Sequence, residues 1–338
     1  MSETTRWGIL ATGRIAHDFA TNLREVPGAE LVAVGSRSAD GAEKFAAEFA
    51  GPGGSAVRAH ASYDALVADP DVDVVYVATP HAFHLANARL AFAAGKHVLC
   101  EKPLTLNLAE AEAMVAAAGA AGRFLMEAMW MACHPLVRAI REGLEQGRYG
   151  EPRQVHADLG FVVDQPSTGR LLNPELGGGA LLDMGIYPLT FAHLMLGPAD
   201  SMVATANLSD QGVDLDVALA GRHGPAVSAL TTSMTSASPR SASIATTTGR
   251  IDVPRDFHSP STATWTPTGG KPEQIEALGP VLGTGLGNEA AHVQECLHAG
   301  RLESPLVPHD QTLALIRLMD DVRRQIGVSY PADREART

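Results

Sequence analysis

The chain has 338 residues, of which 45% are hydrophobic and 19% charged, and its formal net charge is -12. This length favours two domains, and the composition is typical of a folded globular protein rather than a disordered one. The acidic balance and the lack of any Lys/Arg run argue against a nucleic-acid partner.

Targeting signals and cysteine usage indicate the compartment. The segment Met1 to Arg6 is polar and passes directly into a strand pattern, without the features of a signal peptide. No apolar stretch approaches the ~18 residues that a membrane span needs. The three cysteines (Cys100, Cys133 and Cys296) are scattered, which argues against disulfides and a zinc site. We expect a cytoplasmic protein that does not span a membrane.

Residues 1–125 alternate short apolar runs with helical patterns. Apolar strands are predicted to end near Leu10, Val34, Val77 and Cys100, and each precedes a helical pattern. Such alternation builds a doubly wound parallel sheet of the Rossmann type. The fold class is therefore α/β, with a dinucleotide-binding domain over residues 1–125.

Residues 126–338 follow a different pattern. The run Val213 to Leu219 alternates with period two, and short strands separated by Gly, Pro and Ser follow it. We predict an α+β domain whose open, largely antiparallel sheet has helices on one face. Residues 254–285 are rich in Pro, Gly, Ser and Thr, and we predict a long surface excursion there.

A dinucleotide fingerprint follows the first strand. The pattern G-x-G-x-x-A is present with Ala11 in the place of the first Gly, and it lies between a strand and a helix. The central Gly13 lets the backbone approach a pyrophosphate, and Ala16 permits close helix–strand packing. The predicted cofactor-binding residues here are Ala11, Thr12, Gly13, Arg14 and Ile15.

The end of the second strand indicates which dinucleotide binds. An NAD site usually has Asp or Glu there, whereas this chain has Ser36 and Arg37 and no acid until Asp40. A hydroxyl and a guanidinium suit a 2′-phosphate. We therefore expect NADP, while NAD remains possible and Arg37 could instead be an ordinary surface residue.

Lys102 lies in Glu101-Lys102-Pro103, directly after the strand that ends at Cys100. Open α/β sheets bind ligands at the carboxyl ends of their strands. Only four of the 26 basic residues are Lys, the cation whose charge its surroundings can tune. Lys102 is therefore a candidate catalytic residue.

Asp183 and Tyr187 are the other catalytic candidates. They follow Gly177-Gly178-Gly179 in a predicted helix and are spaced i, i+4, on one face. A phenol titrates near pKa ~10, but a nearby ammonium favours the phenolate, so Tyr187 beside Lys102 could transfer protons. Without Lys102 and the dinucleotide site, a core Tyr and a surface Asp would be the simpler interpretation.

These motifs share the order and spacing of one family. They are Ala11-x-Gly13-x-x-Ala16, Val77-Ala78-Thr79-Pro80-x-x-x-His84, Glu101-Lys102-Pro103 and Asp183-x-Gly185-x-Tyr187. Over nearly its whole length the chain resembles the glucose–fructose oxidoreductase/inositol dehydrogenase (Gfo/Idh/MocA) family. Its closest resemblance is to the branch of dimeric dihydrodiol dehydrogenases and NADP-dependent xylose dehydrogenases.

The resemblance implies an enzyme that oxidises a secondary alcohol of a sugar, polyol or cyclic diol, or reduces the matching ketone. It implies that Tyr187 is the acid–base, that Lys102 assists it, and that Trp130, Asp183 and Tyr187 meet the substrate. Thr79, Pro80, His84, Glu101 and Lys102 would contact the cofactor. Residues 126–338 would bind substrate and form a homodimer or higher homo-oligomer.

Two other functions stay open at this stage. Some relatives use bound NAD in a redox cycle that cleaves glycosidic bonds without net oxidation. A non-catalytic dinucleotide-sensing regulator is the third hypothesis. A metal site is not predicted, because neither His81 with His84 nor Cys133 with His134 has a convergent third ligand in the sequence.

Overall fold

The computed structural model describes residues 4–50, 56–164, 166 and 169–335. The chain divides into two compact units. The first consists of residues 1–105, 109–133 and 281–312, and the second of residues 106–108, 134–280 and 313–338. Residues 281–312 thus belong to the first compact unit although they follow the second in sequence. The assignment of binding functions to residues 1–125 and 126–338 stays a prediction.

The sheet of the first unit has six strands, all parallel, in the spatial order β3-β2-β1-β4-β5-β6. The strands are β1 (Thr5–Leu10), β2 (Ala29–Gly35), β3 (Arg58–His60), β4 (Val74–Val77), β5 (His97–Glu101) and β6 (Leu125–Ala128). This strand order is that of the dinucleotide-binding doubly wound fold. The predicted Rossmann-type sheet is confirmed, and the structure adds the short strands β3 and β6.

Helices accompany these strands in the first unit. They are α1 (Arg14–Leu23), α2 (Ala39–Phe49), α3 (Tyr63–Val67), α4 (His84–Ala93), α5 (Leu108–Ala121), α6 (Trp130–Cys133) and α9 (Leu286–His298). The central strand β4 is buried along its whole length, as its continuous apolar run predicts. Phe19 of α1 stacks on Tyr76 of β4 with ring centroids 3.8 Å apart, which fixes helix against sheet.

The second unit contains an eight-stranded sheet in the order β14-β13-β12-β11-β7-β10-β9-β8. The strands are β7 (Pro152–Gly160), β8 (Ser201–Leu208), β9 (Asp214–His223), β10 (Ala226–Ser233), β11 (Ala242–Thr246), β12 (Gly249–Val253), β13 (Thr264–Pro267) and β14 (Glu273–Gln274). All neighbours pair antiparallel except β7 and β10, which are parallel. The predicted largely antiparallel sheet is confirmed.

The prediction of a surface excursion over residues 254–285 is wrong in part. Strands β13 and β14 lie in this segment and extend the sheet beyond β12. Trp265 of β13 is only 7% exposed and packs against Tyr149, with ring centroids 5.1 Å apart. Buried aromatic packing therefore holds a segment whose composition indicated a loop.

The helices of the second unit are α7 (Pro135–Glu145), α8 (Ile186–Leu196), α10 (His309–Ile326) and α11 (Ala332–Glu335), with the first turn of α10 belonging to the first unit. A π-helical turn, Leu181–Gly185, leads directly into α8. Helix α8 packs on β7 and β10. On the opposite face of the sheet Val203 and Val227 are exposed, so helices cover one face as predicted.

One apolar stretch of the second unit has the length and composition of a membrane span. The stretch is Pro174–Leu196, 23 residues long, with a mean hydropathy of 1.3 over its most apolar window. The expectation that no stretch reaches this length is therefore wrong. Because 83% of that window is buried inside the protein, the stretch belongs to the core of the second unit.

Candidate active site

The first unit brings four predicted motifs to one edge of its sheet. Leu10 pairs with Gly35 on one side and with Val77 on the other, and Val77 pairs with Cys100. The last residues of β2, β1 and β4 and the next-to-last residue of β5 thus form one row. The segments after them, which carry Ser36, Thr12, Thr79 and Lys102, leave the sheet side by side. Going outward from the middle of the sheet, β1 to β3 extend to one side and β4 to β6 to the other. The strand order therefore changes direction between β1 and β4, which is where such sheets bind ligands.

The fingerprint turn fits a phosphate group. Gly13 is the N-cap of α1, and no side chain caps the helix there. A Cβ built on Gly13 meets no atom within 4 Å, so the space in front of the turn is open. Uncapped N–H groups at a helix N-terminus bind anions. Ala16 is fully buried, as close helix–strand packing requires.

Ala11 replaces the first fingerprint glycine at a conformational cost. Its φ is 96°, in the left-handed region that favours glycine. Its N–H donates to Gly35 O at 2.9 Å, which ties the end of β1 to the end of β2. The turn therefore keeps the glycine conformation although it carries a Cβ.

Ser36 and Arg37 follow β2 as predicted. Ser36 is buried, and its Oγ accepts a hydrogen bond from the N–H of Ser38 at 3.2 Å. Arg37 is exposed and has no ion pair with a described residue. Ser38 caps α2 by accepting from Gly41 N–H. The local fold thus holds the serines and leaves the guanidinium of Arg37 in solvent.

His84 connects the segments that follow β4 and β5. Its Nε2 lies 2.8 Å from Thr79 O, and its Nδ1 lies 3.1 Å from Pro103 O and 3.2 Å from Leu104 O. The ring is fully buried, and Asn87 donates to the Thr79 hydroxyl at 3.1 Å. His84 therefore holds the two segments together. Cofactor contact by Thr79, Pro80 and His84 stays a prediction.

Glu101 is engaged within the fold. Its carboxylate accepts hydrogen bonds from the Tyr76 hydroxyl and, at 3.1 Å, from Lys102 N–H. The peptide bond between Lys102 and Pro103 is cis. The carboxylate of Glu101 thus braces the backbone of Lys102, and its cofactor contact stays a prediction.

Glu127 is a second buried carboxyl near Lys102, and the sequence did not single out its chemistry. It accepts from Leu104 N–H at 2.9 Å and from the Thr312 hydroxyl at 3.0 Å. Burial is the main cause that raises its pKa to about 7, and the charge of Lys102 acts in the opposite direction. Its position in β6, next to β5, is what makes it a neighbour of the Lys102 segment.

Trp130 is the first residue of α6, directly after β6, and is half-buried. Helix α6 packs against α9 within the first unit. No group of three or more His, Cys, Asp or Glu side chains arranged to hold a metal occurs among residues 4–50, 56–164, 166 and 169–335.

Asp183 and Tyr187 both lie in the second unit, on consecutive turns of one helical run. Asp183 belongs to the π-helical turn and Tyr187 to the first turn of α8. Arg170 Nη1 lies 3.0 Å from Asp183 Oδ1. The Tyr187 ring lies against that of His258, with centroids 5.2 Å apart. Both neighbours are new, because nothing local in the sequence connects Arg170 or His258 to this helix.

Two family models match the chain. One, described as an oxidoreductase family with an NAD-binding Rossmann fold, matches residues 5–129. The other, described as a GFO/IDH/MocA C-terminal domain, matches residues 137–252. The chain belongs to the Gfo/Idh/MocA oxidoreductase family. It is an oxidoreductase with an NAD-binding Rossmann domain, and the resemblance stated from its motifs is confirmed.

Relatives and solved structures are similar over almost the whole length. The chain is 37% identical to a trans-1,2-dihydrobenzene-1,2-diol dehydrogenase of Mus musculus, over 97% of this chain and 99% of the relative. It is similar in structure to KijD10, a 3-ketoreductase of Actinomadura kijaniata solved with NADP and TDP-benzene, with TM-score 0.84, 28% identity and coverage of 97% and 99%. It is also similar to an aldose-aldose oxidoreductase of Caulobacter crescentus complexed with glycerol, with TM-score 0.85, 25% identity and coverage of 96% and 97%.

Proposed function

We propose that this oxidoreductase transfers a hydride between NADP and a secondary alcohol or ketone of a sugar, polyol or cyclic diol. The observation that carries the proposal is the 37% identity to a dihydrodiol dehydrogenase across 97% of the chain. The two solved structures are named for a ketoreductase and an aldose oxidoreductase, which widens the substrate class from cyclic diols to sugars.

NADP is the proposed cofactor, with NAD as the alternative. The support lies at the end of β2, where the exposed Arg37 follows the buried Ser36 and no acid occupies either position. A guanidinium can make charge-assisted bonds to a 2′-phosphate, whereas an Asp or Glu there would repel it. Gly13, with open space in front of it, suits the pyrophosphate.

Tyr187 is the proposed acid–base. It accepts the hydroxyl proton when the alcohol is oxidised and returns a proton to the carbonyl oxygen when the ketone is reduced. Lys102 is the proposed cation that favours the phenolate. Asp183, fixed by Arg170, is proposed to orient the substrate hydroxyl. Bound NADP supplies or accepts the hydride, and positioning of the two reactants provides much of the rate.

The test is a screen of NADP+ reduction by the purified chain over aldoses, inositols and cyclic diols, with NAD+ in parallel. We expect NADPH formation with at least one substrate and a higher kcat/KM for NADP+ than for NAD+. A higher kcat/KM for NAD+ would contradict the proposed role of Ser36 and Arg37.

Two other outcomes would identify the alternatives. Release of sugar from a glycoside without net NADPH formation would indicate a redox cycle. Tight NADPH binding without turnover over the whole panel would indicate a regulator. The cytoplasmic location and the homodimer or higher homo-oligomer stay predictions.

A further inference from the structure

Three glycines precede the helix that carries Asp183 and Tyr187. Gly177 and Gly179 have φ values of 77° and 135°. Gly178 N–H donates to Asn173 O and Gly179 N–H to Leu171 O, each at 3.0 Å. The π-helical turn that follows has no capping side chain of its own at Ala180. Its first N–H groups must therefore bond elsewhere in the fold.

Asp214 satisfies one of them from a distant part of the chain. It is the first residue of β9 and is fully buried. Its Oδ2 accepts a hydrogen bond from Leu181 N–H at 2.6 Å, although the two residues are 33 positions apart. A carboxylate at this point does what an N-cap side chain does for an ordinary helix.

The approach of Asp214 depends on Gly179. A Cβ at position 179 would lie 2.3 Å from Asp214 Oδ1, closer than any real contact, and 3.1 Å from Tyr330 Oη. The Tyr330 hydroxyl in turn donates to Gly178 O at 2.8 Å, and Tyr330 is 1% exposed. The carboxyl and the phenol therefore hold the same turn from two sides.

Tyr330 is itself fixed by the residues around it. Its N–H donates to Asp333 Oδ2 at 2.8 Å. The guanidinium of Arg323 lies 4.8 Å from the centre of its ring and forms an ion pair of 2.6 Å with Asp333. Helix α10, helix α11 and the connection between them thus anchor the glycine turn.

A purely structural role explains these contacts poorly. Asp214 Oδ1 is buried and has no hydrogen-bond partner among the described residues. A buried polar atom without a partner lowers stability because its lost hydration is not replaced, and a Ser or Asn cap would avoid a buried charge. Natural proteins accept such costs mainly at functional sites. Leu181, whose N–H group donates to the Asp214 carboxylate, lies two residues before Asp183 and six before Tyr187.

We propose that Asp214 is a positioning residue for the proposed acid–base Tyr187, acting through the turn Gly177–Ala180 that it and Tyr330 hold. The inference rests on the proposed function of Tyr187. Asp214 touches neither substrate nor cofactor in this role. It fixes where the helix begins, and thereby the direction in which Asp183 and Tyr187 project.

The kinetic test compares two carboxylates of the same strand. Asp216 lies two residues after Asp214, and its carboxylate accepts bonds of 2.6 Å from Ser233 and Thr235. We expect Asp214→Ala to lower kcat by roughly 10- to 100-fold. A loss of this size is typical when a reacting group is misplaced by up to about 1 Å. The KM for NADP and the Kd for NADPH should change less than about twofold, because the dinucleotide fingerprint lies in the other unit.

Conservative variants separate positioning from folding. Asp214→Asn keeps an oxygen that can accept from Leu181 N–H, so it should recover most of the lost kcat. Tyr330→Phe should lower kcat severalfold without a change in KM. Asp216→Ala and Asp216→Asn, the matched controls, should retain kcat. Thermal unfolding must show that each variant is folded at the assay temperature. A folded Asp214→Ala variant with wild-type kcat would overturn the proposal.

A second measurement does not depend on turnover. Fluorotyrosine placed at position 187 reports the surroundings of that ring by fluorine NMR. We expect one narrow resonance in the wild type and in Asp216→Ala, and a shifted or broadened resonance in Asp214→Ala. If the wild-type chain turns over no substrate, the proposed function fails, and the NMR comparison still decides the positioning role. An unchanged resonance in Asp214→Ala would refute that role.

Discussion

Arg170 and Asp183 form an ion pair in which Nη1 lies 3.0 Å from Oδ1. Arg170 belongs to the 3-10 turn Arg170–Leu172, and Asp183 to the π-helical turn before α8. Asp183 is nearly buried, whereas the Arg170 side chain is 41% exposed. The guanidinium therefore fixes the direction of a carboxylate that the surrounding fold already encloses.

Substitution of Arg170 should impair turnover. We expect Arg170→Gln to lower kcat/KM about tenfold, because Asp183 loses the partner that orients it. Arg170→Lys should recover part of the loss, since it restores the charge without the planar fork. The control is Arg250→Gln, which removes an ion pair of 2.8 Å to Asp252 in β12. Equal kcat/KM in Arg170→Gln and Arg250→Gln would contradict the role of the pair.

Lys102 and Tyr187 should each be needed for the proton-transfer step. Lys102→Met or Tyr187→Phe is expected to lower kcat by about 100-fold or more, the scale of a positioned acid–base. NADPH binding, followed by fluorescence titration, should survive in Tyr187→Phe. Lys44→Met and Tyr63→Phe change the same residue types outside the predicted site and should leave kcat unaltered. Near-wild-type turnover in both site variants would refute the mechanism.

The dinucleotide preference should depend on Arg37. We expect Arg37→Ala to raise the KM for NADP+ about tenfold and to leave the KM for NAD+ unchanged, because only NADP+ carries the 2′-phosphate. Ser36→Asp should reverse the preference by repelling that phosphate. The exposed Arg89 of α4 provides the matched control, Arg89→Ala. A parallel rise in both KM values would show that Arg37 does not recognise the phosphate.

Ala11 should be a site where a glycine stabilises the first unit. Its φ of 96° is unfavourable for a residue with a Cβ. Ala11→Gly is therefore expected to raise the free energy of unfolding by about 1 kcal/mol. Ala20→Gly, in the interior of α1, should lower it by about 1 kcal/mol or more, since glycine there adds freedom to the unfolded chain and removes a buried methyl group. Urea unfolding measures the free energy of unfolding of both variants. A loss of stability in Ala11→Gly would contradict the inference that the backbone at Ala11 is strained.

Glu127 should make stability depend on pH. Burial raises its pKa from 4.5 to about 7, so the folded protein binds the proton more tightly than the unfolded chain. Stability from this group is therefore fully present below pH 4.5 and is lost as the pH rises to about 7. A shift of this size corresponds to roughly 3 kcal/mol.

Glu127→Gln removes the titration and keeps an oxygen that can accept from Leu104 N–H. Its free energy of unfolding relative to wild type should therefore increase by roughly 3 kcal/mol between about pH 5 and pH 8. The exposed Glu145→Gln controls for the loss of one acid. Urea unfolding at the two pH values measures the change. If the difference in free energy of unfolding between Glu127→Gln and wild type were the same at both pH values, Glu127 would not titrate in this range.

The sequence by itself determined the elements that have a clear pattern of apolar residues. The runs ending at Leu10, Val77 and Cys100 are apolar because the strands are buried, and the glycine and proline motifs that follow them mark the predicted ligand edge. The strand β3 could not be predicted, because Arg58-Ala59-His60 is short and polar at the edge of its sheet. Strands β13 and β14 likewise lack a period long enough to recognise.

Only the tertiary structure decided which groups meet around the predicted residues. Asp214 and Leu181 are 33 positions apart, Tyr330 and Gly178 are 152 apart, and their contacts depend on strand order and on a glycine with φ of 135°. Arg170 and Glu127 likewise reach Asp183 and Leu104 through space. Local patterns encode the period of a helix or strand, whereas the hydrogen bonds of buried carboxyls depend on packing between distant segments. The candidate catalytic residues could therefore be proposed from sequence patterns, whereas the groups that hold them could not be predicted.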